Sequence, residues 1–205
     1  MKVLLINGSP NPRGCTYTAL NEVAKTLEQE GIETEIIQVG QKDIRGCIGC
    51  RQCKESGQCI FDDFVNEVAP KFNECDGIVI GSPVYYASAN GTLISFLDRL
   101  FYSTLADKTM KVGAAVVSAR RAGTTATFDE LNKYFTISSM PVVSSQYWNM
   151  VHGYTPEDVM KDEEGMQIMR TLGKNMAFLI KSIQLGKEKY GLPEKEQHVF
   201  TPFIR

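Results

Sequence analysis

The chain has 205 residues and a net charge of −2 at pH 7, and 43% of its residues are hydrophobic. These values are typical of one globular domain with a sizeable core, and they exclude the basic surface expected of a nucleic-acid-binding protein. Apolar runs fall well short of a membrane span, and the first residues lack the apolar core of a signal peptide. We therefore expect a cytoplasmic protein with no nucleic-acid or membrane partner.

Short apolar runs alternate with segments of helical periodicity along the chain. A loop dense in turn formers, NGSPNPRG, follows the first run, and Gly31 follows the first helical pattern. The predicted strands cover residues 2–6, 34–39, 77–84, 111–119 and 141–148. The predicted helices cover about 16–30, 62–74, 91–103, 125–135 and 162–187, and a C-terminal tail is expected from about residue 188.

Five nearly continuous apolar strands separated by helices indicate a parallel sheet that is covered on both faces. Right-handed crossovers then favour a doubly wound α/β sandwich of three layers. In such sheets ligands bind beyond the carboxyl ends of the strands, where the strand order reverses. We therefore expect one domain over residues 1–205, with its functional loops after the first, third and fourth strands.

The loop after the first strand, GSPNPRGCTYT, leads into a predicted helix N-terminus, where unpaired N–H groups favour an anion. Ser9, Thr16 and Thr18 add hydroxyl donors, and Arg13 adds a formal charge. The loop lacks the Lys-Ser or Lys-Thr of a P-loop, and the second strand lacks the terminal acid of a dinucleotide fold. A terminal monophosphate such as that of FMN fits this loop, but helix capping by the same hydroxyls fits it equally well.

Four of the six cysteines lie in one short segment, CIGCRQCKESGQC, from Cys47 to Cys59. Zinc sites usually present two separated Cys-x2-Cys pairs, whereas three of these cysteines follow one another at x2 spacing. Three thiolates at that spacing wrap one corner of an iron–sulfur cubane, and a fourth from a short loop completes it. Disulfides are disfavoured in a reducing cytoplasm. The alternatives that remain are an iron–sulfur cluster, zinc or a segment without metal.

Three segments taken together resemble the NAD(P)H-dependent FMN reductase superfamily, in its flavodoxin-like branch. They are GSPNPRGCTYTAL after the first strand, GSPVYYASANGTLISFLDR after the third and SARRAGTTATFDEL after the fourth. The resemblance covers residues 1 to about 187 and implies a flavodoxin-like five-stranded parallel sheet with strand order 2-1-3-4-5. The spacing Cys-x2-Cys-x2-Cys-x5-Cys is similar to that of the iron–sulfur flavoprotein subgroup, whose members carry FMN and a [4Fe–4S] cluster.

The resemblance also implies which residues contact each cofactor. Those expected around the FMN phosphate are Ser9, Asn11, Arg13, Cys15, Thr16 and Tyr17. Those expected along the isoalloxazine ring are Pro83, Val84, Tyr85 and Tyr86. The cluster ligands would be Cys47, Cys50, Cys53 and Cys59.

The loop from Ser118 to Gly123 is expected at the pyrimidine edge of the flavin. There Arg120, Arg121 or backbone N–H groups near Gly123 would stabilise the negative charge of the reduced ring. Two positions depart from the family pattern. Family members commonly carry Arg or Lys where Asn11 stands, and Asn or Ser where Cys15 stands.

These expectations lead to three hypotheses about function. The first is an FMN oxidoreductase that moves electrons between a [4Fe–4S] cluster and FMN, without a side-chain nucleophile, because the cofactors carry the chemistry. The second is a cluster-free NAD(P)H-dependent reductase of free flavin, quinone or another small acceptor. The third is a non-enzymatic electron carrier like flavodoxin, or a zinc-stabilised binding module. The resemblance further implies a homodimer or homotetramer in which residues 87–91 meet the neighbouring subunit, with ferredoxin or a small molecule as the redox partner.

Overall fold

The computed structural model describes residues 1–201 and 203 and contains a parallel sheet with helices on both faces. The strands are β1 (Lys2–Asn7), β2 (Glu33–Gln38), β3 (Gly77–Pro83), β4 (Val112–Ala119) and β5 (Met150–His152). The helices are α1 (Cys15–Gln29), α2 (Cys53–Ser56), α3 (Phe64–Glu74), α4 (Gly91–Ser103), α5 (Thr124–Thr136), α6 (Pro156–Lys161) and α7 (Glu163–Tyr190). The strand order β2-β1-β3-β4-β5, with all neighbours parallel, confirms the predicted topology.

Each central strand buries both of its faces, which explains its continuous apolar sequence. Val3 and Leu5 of β1 belong to a core with α1 and α7. Leu4 and Ile6 belong to the opposite core, with α3, α4 and α5. Because successive side chains of a strand point to opposite faces, β1 contributes to both cores and is shielded from water on both sides.

The predicted fifth strand, at residues 141–148, is wrong in position. Val142 makes a single parallel bridge to Gly113, and the chain then leaves the sheet and returns as β5. The Ser145 hydroxyl donates to the carbonyl of Tyr147, so a serine hydroxyl satisfies the backbone locally at the point where the ladder breaks. The apolar run therefore begins to pair as a strand at Val142, and the serines that follow it end the pairing.

Two short helices, α2 and α6, were not predicted. The first lies inside the cysteine segment, and the second begins at Pro156, with Thr155 as its N-cap in a reciprocal capping box with Asp158. Helix α7 continues to Tyr190, so the tail begins at Gly191, a little later than predicted. Within the part of the chain that the structure describes, no helix is long and apolar enough to cross a membrane.

Candidate functional site

The loops that follow β1, β3, β4 and β5 meet at the carboxyl edge of the sheet. The hydroxyls of Thr16 and Ser118 share a buried hydrogen bond of 2.7 Å. The Val84 N–H donates to the Ser118 carbonyl at 3.0 Å, and the Cys15 thiol donates to the Gly153 carbonyl at 3.7 Å. Burial raises the pKa of the Cys15 thiol and keeps it in the form that donates. Residues predicted for one site from three separate segments are thus neighbours.

Side chains from β1 and β2 hold the β1–α1 loop, residues 8–14, in shape. The Ser9 N–H donates to Asn7 Oδ1 at 3.1 Å, and the Ser9 carbonyl accepts from Gln38 Nε2 at 2.7 Å. The Ser9 hydroxyl accepts the N–H of Asn11 at 3.1 Å. A Cβ on Gly40 would lie 2.2 Å from the carbonyl carbon of Ser9, so only glycine allows this close approach. The loop is rigid because strand residues hold it.

Helix α1 begins without a side-chain cap, unlike most helices of this chain. The residues that cap α3, α4, α6 and α7 with a side-chain oxygen are Asp63, Asn90, Thr155 and Asp162. Among the described residues none caps the N-terminus of α1, whose N-cap is Gly14. Thr16 bonds to Ser118 instead, and the Thr18 hydroxyl donates to the Gly14 carbonyl. Capping by these hydroxyls is therefore excluded, and the first-turn N–H groups fit a phosphate.

The chain makes a strained two-residue turn directly after β3. Tyr85 and Ser88 exchange backbone hydrogen bonds of 2.9 and 3.0 Å across the turn. Tyr86 and Ala87 between them have φ of 52° and 59°, the left-handed values of a type I′ turn. Neither is the glycine or asparagine that such a turn favours, and the Tyr86 side chain is fully exposed. Strain of this kind is frequent at binding sites that the rest of the fold holds in place.

Helix α5 holds that turn from one side. The Ser88 hydroxyl lies 2.8 and 3.0 Å from the two carboxylate oxygens of Glu130, and the Ala89 N–H donates to one of them at 2.8 Å. Gly123, the N-cap of α5, has φ of 89° and approaches so closely that a Cβ there would lie 2.9 Å from Val84 Cγ1. Glu130 was not predicted to support the site, although it lies within the segment SARRAGTTATFDEL that carries the family resemblance.

Three arginines at the carboxyl edge of the sheet have positive charges that no described acidic side chain neutralises. The side chains of Arg13, Arg120 and Arg121 are exposed, and none of them forms an ion pair with any residue that the structure describes. Asn11 is also exposed, while Tyr17 and Pro83 are half-buried. The assignment of these residues, and of Tyr85 and Tyr86, to particular parts of the flavin stays a prediction.

The four cysteines of the segment line one pocket, called here the cysteine pocket. Cys47 and Cys50 are exposed, Cys53 is buried and Cys59 is half-buried, and all four are free thiols. Burial raises the pKa of Cys53. The pocket holds about 20 Å³, which is room for about one water molecule, so the segment must open outward to admit a cluster. Residues 44–52 have no regular secondary structure that would oppose this opening.

Thiols are donors that both a zinc ion and an iron–sulfur cluster bind. Within residues 1–201 and 203, no group of three or more His, Cys, Asp or Glu side chains is close enough to hold one metal ion. A zinc ion with bonds of about 2.3 Å would draw its sulfurs to within about 3.8 Å of one another, whereas a cubane holds them farther apart. Among the described residues the four thiols line one pocket without being gathered around a single point, so the arrangement alone does not choose between the two.

Arg99 of α4 lies beneath the cysteine pocket with its side chain fully buried. Its Nη atoms donate to both carboxylate oxygens of Asp63, at 2.7 and 2.8 Å. Its Nε lies 3.2 Å from Cys59 Sγ. Burial by itself lowers the pKa of Arg99, but hydrogen bonds to Asp63 and Cys59 outweigh it, so the pKa is raised. The result is a permanent cation in contact with a candidate metal ligand.

Asn66 of α3 holds the backbone of Cys59 on both sides. The Cys59 N–H donates to Asn66 Oδ1 at 3.0 Å, and Asn66 Nδ2 donates to the Cys59 carbonyl at 2.9 Å. The same Nδ2 lies 3.2 Å from the carbonyl of Phe61. Cys59 is therefore fixed at both its backbone and its sulfur, in contrast to the exposed Cys47 and Cys50.

The chain matches known proteins over most of its length. The family model described as NADPH-dependent FMN reductase matches residues 1–155. An iron–sulfur flavoprotein from Methanocaldococcus jannaschii is 37% identical over 192 residues, which cover 90% of this chain and 100% of that protein.

Solved structures agree on the fold. An NAD(P)H:quinone oxidoreductase from Methanothermobacter marburgensis has a TM-score of 0.66 at 16% identity, with 86% of this chain and 96% of that one covered. A flavodoxin from the domain Archaea has a TM-score of 0.58 at 17% identity, with 88% and 99% covered. The sheet order, the shared carboxyl-edge loops and these matches lead to one conclusion. The chain belongs to the NADPH-dependent FMN reductase family of flavin-dependent oxidoreductases, in the subgroup of the iron–sulfur flavoproteins.

Proposed function

We propose that this protein moves electrons between FMN, bound at the carboxyl edge of the sheet, and a [4Fe–4S] cluster in the cysteine pocket. The observation that carries the proposal is that all four cysteines line one pocket while a buried arginine donates to one of their sulfurs. When bound, FMN supplies two-electron chemistry and the cluster supplies one-electron transfer, so the pair connects the two kinds of electron carrier.

At the flavin end, residues of this chain bind the FMN phosphate, orient the flavin ring and neutralise the charge of the reduced flavin. The uncapped first turn of α1 offers N–H groups to the phosphate, and Arg13 adds charge beside it. Glu130 keeps the turn of residues 85–88 in one conformation, so Tyr85 is presented for contact with a flat ring. Arg120 and Arg121 bring positive charge to the end of β4, which favours the reduced, anionic flavin.

At the cluster end, the chain supplies four thiols and fixes one of them. Cys59 is held by Asn66 and Arg99, so it would serve as the fixed ligand of the set. Cys47 and Cys50 are exposed and lie in residues 44–52, which have no regular secondary structure.

We infer further that NAD(P)H, ferredoxin or a small acceptor exchanges electrons with this pair, and that the chain forms a homodimer or homotetramer through residues 87–91. The exposure of Tyr86 in a rigid turn supports such a contact, because a preformed aromatic surface costs little entropy to dock. Size-exclusion chromatography with light scattering tests the assembly. A monomer at all working concentrations would contradict it.

The experiment that tests the function is anaerobic purification followed by absorption spectroscopy and determination of flavin, iron and sulfide. We expect one FMN and about four iron and four sulfide ions per chain. The Cys59→Ser variant should lose iron and sulfide while it keeps FMN. The Cys75→Ser variant is the matched control, because Cys75 is buried away from the cysteine pocket and its thiol donates to the Phe72 carbonyl.

Other contents of the purified protein would contradict the proposal. FMN with neither iron nor sulfide would favour the hypothesis of a cluster-free reductase. The small volume of the cysteine pocket is the observation that supports this second hypothesis. Zinc without flavin would favour a binding module and would contradict both enzymes. Bleaching of the flavin by NADH or NADPH would then distinguish a reductase from a carrier that takes electrons from ferredoxin.

A further inference from the structure

We propose that Arg99 is a positioning residue that sets the reduction potential of the cluster, by donating a hydrogen bond from Nε to the sulfur of Cys59. This inference rests on the proposed function, because it requires a cluster in the cysteine pocket. It adds a specific role for a residue that supplies no cluster ligand itself. The role is carried by the hydrogen-bond geometry of Arg99.

All five N–H donors of Arg99 have partners. Four of them reach oxygen atoms, namely both carboxylate oxygens of Asp63 and the carbonyls of Arg45 and Phe61, the last two at 3.3 Å. The fifth, on Nε, reaches the sulfur of Cys59 at 3.2 Å. A neutral thiol is a weak acceptor, so a buried cation gains little from it. A thiolate bound to iron is a strong, charged acceptor, and the fifth contact then becomes favourable.

Arg99 also joins the two ends of the cysteine segment. The Arg45 carbonyl lies just before Cys47, and the Phe61 carbonyl lies just after Cys59. The guanidinium lies 5.1 Å from the ring centroid of Phe61, which shields it from water. The donor that reaches Cys59 is therefore fixed in direction and sits in a region of low dielectric, where a hydrogen bond acts more strongly on its acceptor.

The electrostatic consequence follows from the charge change of the couple. Reduction of a cluster held by these cysteines would take one electron from the reductant without making or breaking a bond, and would make the cluster with its four thiolates one unit more negative. A donor that points at a ligand sulfur stabilises that additional negative charge. Asp63 offsets the charge of Arg99 at long range, but its carboxylate binds the Nη atoms, whereas Nε lies 3.2 Å from the sulfur and points its N–H at it. The net effect of Arg99 is to raise the potential.

The alternative is that Arg99 only completes an ion pair with Asp63 and supports the fold. The two roles separate in the variant Arg99→Lys, which keeps a positive charge but removes the planar fork that reaches Asp63 and Cys59 together. The matched control is Arg45→Lys, since Arg45 lies beside the same segment but contacts Arg99 only through its backbone carbonyl.

The test is a redox titration of anaerobically purified holoprotein, followed by the electron paramagnetic resonance signal of the reduced cluster. We expect Arg99→Lys to disfavour reduction at least tenfold, which is about 59 mV for one electron. Arg45→Lys should leave the midpoint unchanged. An unchanged midpoint in Arg99→Lys with iron and sulfide intact would overturn the inference.

A measurement on the unaltered residue covers the case in which Arg99→Lys does not fold. Protein labelled with 15N-arginine, reduced and examined by pulsed electron paramagnetic resonance, should show a nitrogen coupled to the cluster. The coupling should persist in Arg45→Lys and in Arg51→Lys, where the other nearby arginines are replaced. No 15N coupling would overturn the inference while the proposed function stands, whereas a protein without iron and sulfide would overturn both.

Discussion

Replacement of Glu130 by alanine should release the turn of residues 85–88 and weaken FMN binding. The Glu130 carboxylate accepts the Ser88 hydroxyl and the Ala89 N–H, at distances of 2.8 to 3.0 Å. These two donors lie on the far side of a turn whose central residues, Tyr86 and Ala87, have positive φ. Without the carboxylate, both of these hydrogen bonds between α5 and the turn are lost.

The magnitude follows from the strain and from the hydrogen bonds that oppose it. A left-handed conformation costs about 1–2 kcal/mol for each non-glycine residue, so the turn stores about 2–4 kcal/mol. Two hydrogen bonds to a charged acceptor contribute about 1.5–3 kcal/mol each, and partial exposure of Glu130 favours the lower value. Loss of the two hydrogen bonds therefore removes about 3 kcal/mol, which is similar to the strain energy of the turn. If about half of it falls on flavin binding, FMN affinity drops about tenfold.

The assay is titration of FMN with the apoprotein, followed by the quenching of flavin fluorescence, together with thermal unfolding. Asp129→Ala is the matched control, because it removes the same charge from the neighbouring, exposed position of α5. Wild-type FMN affinity in Glu130→Ala, or an equal loss in Asp129→Ala, would refute this account of the turn.

Two further predictions concern Gly123 and Cys75. Gly123→Ala should lower FMN affinity as well as stability, because its Cβ would lie 2.9 Å from Val84 Cγ1 at φ 89°. Gly191→Ala, at φ 77° and ψ 176° with open space around it, should show only backbone strain of about 1–3 kcal/mol in thermal unfolding, and equal loss of FMN affinity in the two variants would contradict the close contact. Burial raises the pKa of Cys75 to about 11 from an ordinary value of 9.0, so the unfolded chain releases this proton first as pH rises. The free energy of unfolding should therefore fall by about 2 kcal/mol more in wild type than in Cys75→Ser between pH 9 and 11, as measured by denaturant titration, and parallel curves would contradict the burial argument.

The sheet was predictable because its strands are buried on both faces and read as apolar runs. The same criterion failed at residues 141–148, where Pro141, Val142 and Val143 begin an apolar run that Ser144 and Ser145 end. β5 itself is only three residues long, and only its first two are buried. A strand that short leaves too little apolar pattern to identify from sequence.

The sequence predicted which loops form the site, but it did not predict the contacts that support those loops. The loops after β1, β3 and β4 and the cysteine segment could be identified, because their glycine, serine and cysteine residues lie close together in the sequence. Glu130 binds residues 41 and 42 positions away, and Arg99 binds a sulfur 40 positions away, so no local pattern reveals either contact. A signal did exist at Arg99, since it follows Phe96 and Leu97 on the buried face of an apolar helix, where a charge requires a partner.

The central claim is that one chain holds both FMN and a [4Fe–4S] cluster on the cysteines between Cys47 and Cys59. Mössbauer spectroscopy of 57Fe-enriched protein, purified without oxygen and assayed for FMN in the same sample, tests it most directly. We predict one FMN per chain together with the diamagnetic doublet of an oxidised [4Fe–4S] cluster, which disappears in Cys59→Ser and persists in Cys75→Ser. A spectrum without a cluster signal from protein that contains its full FMN would contradict the claim.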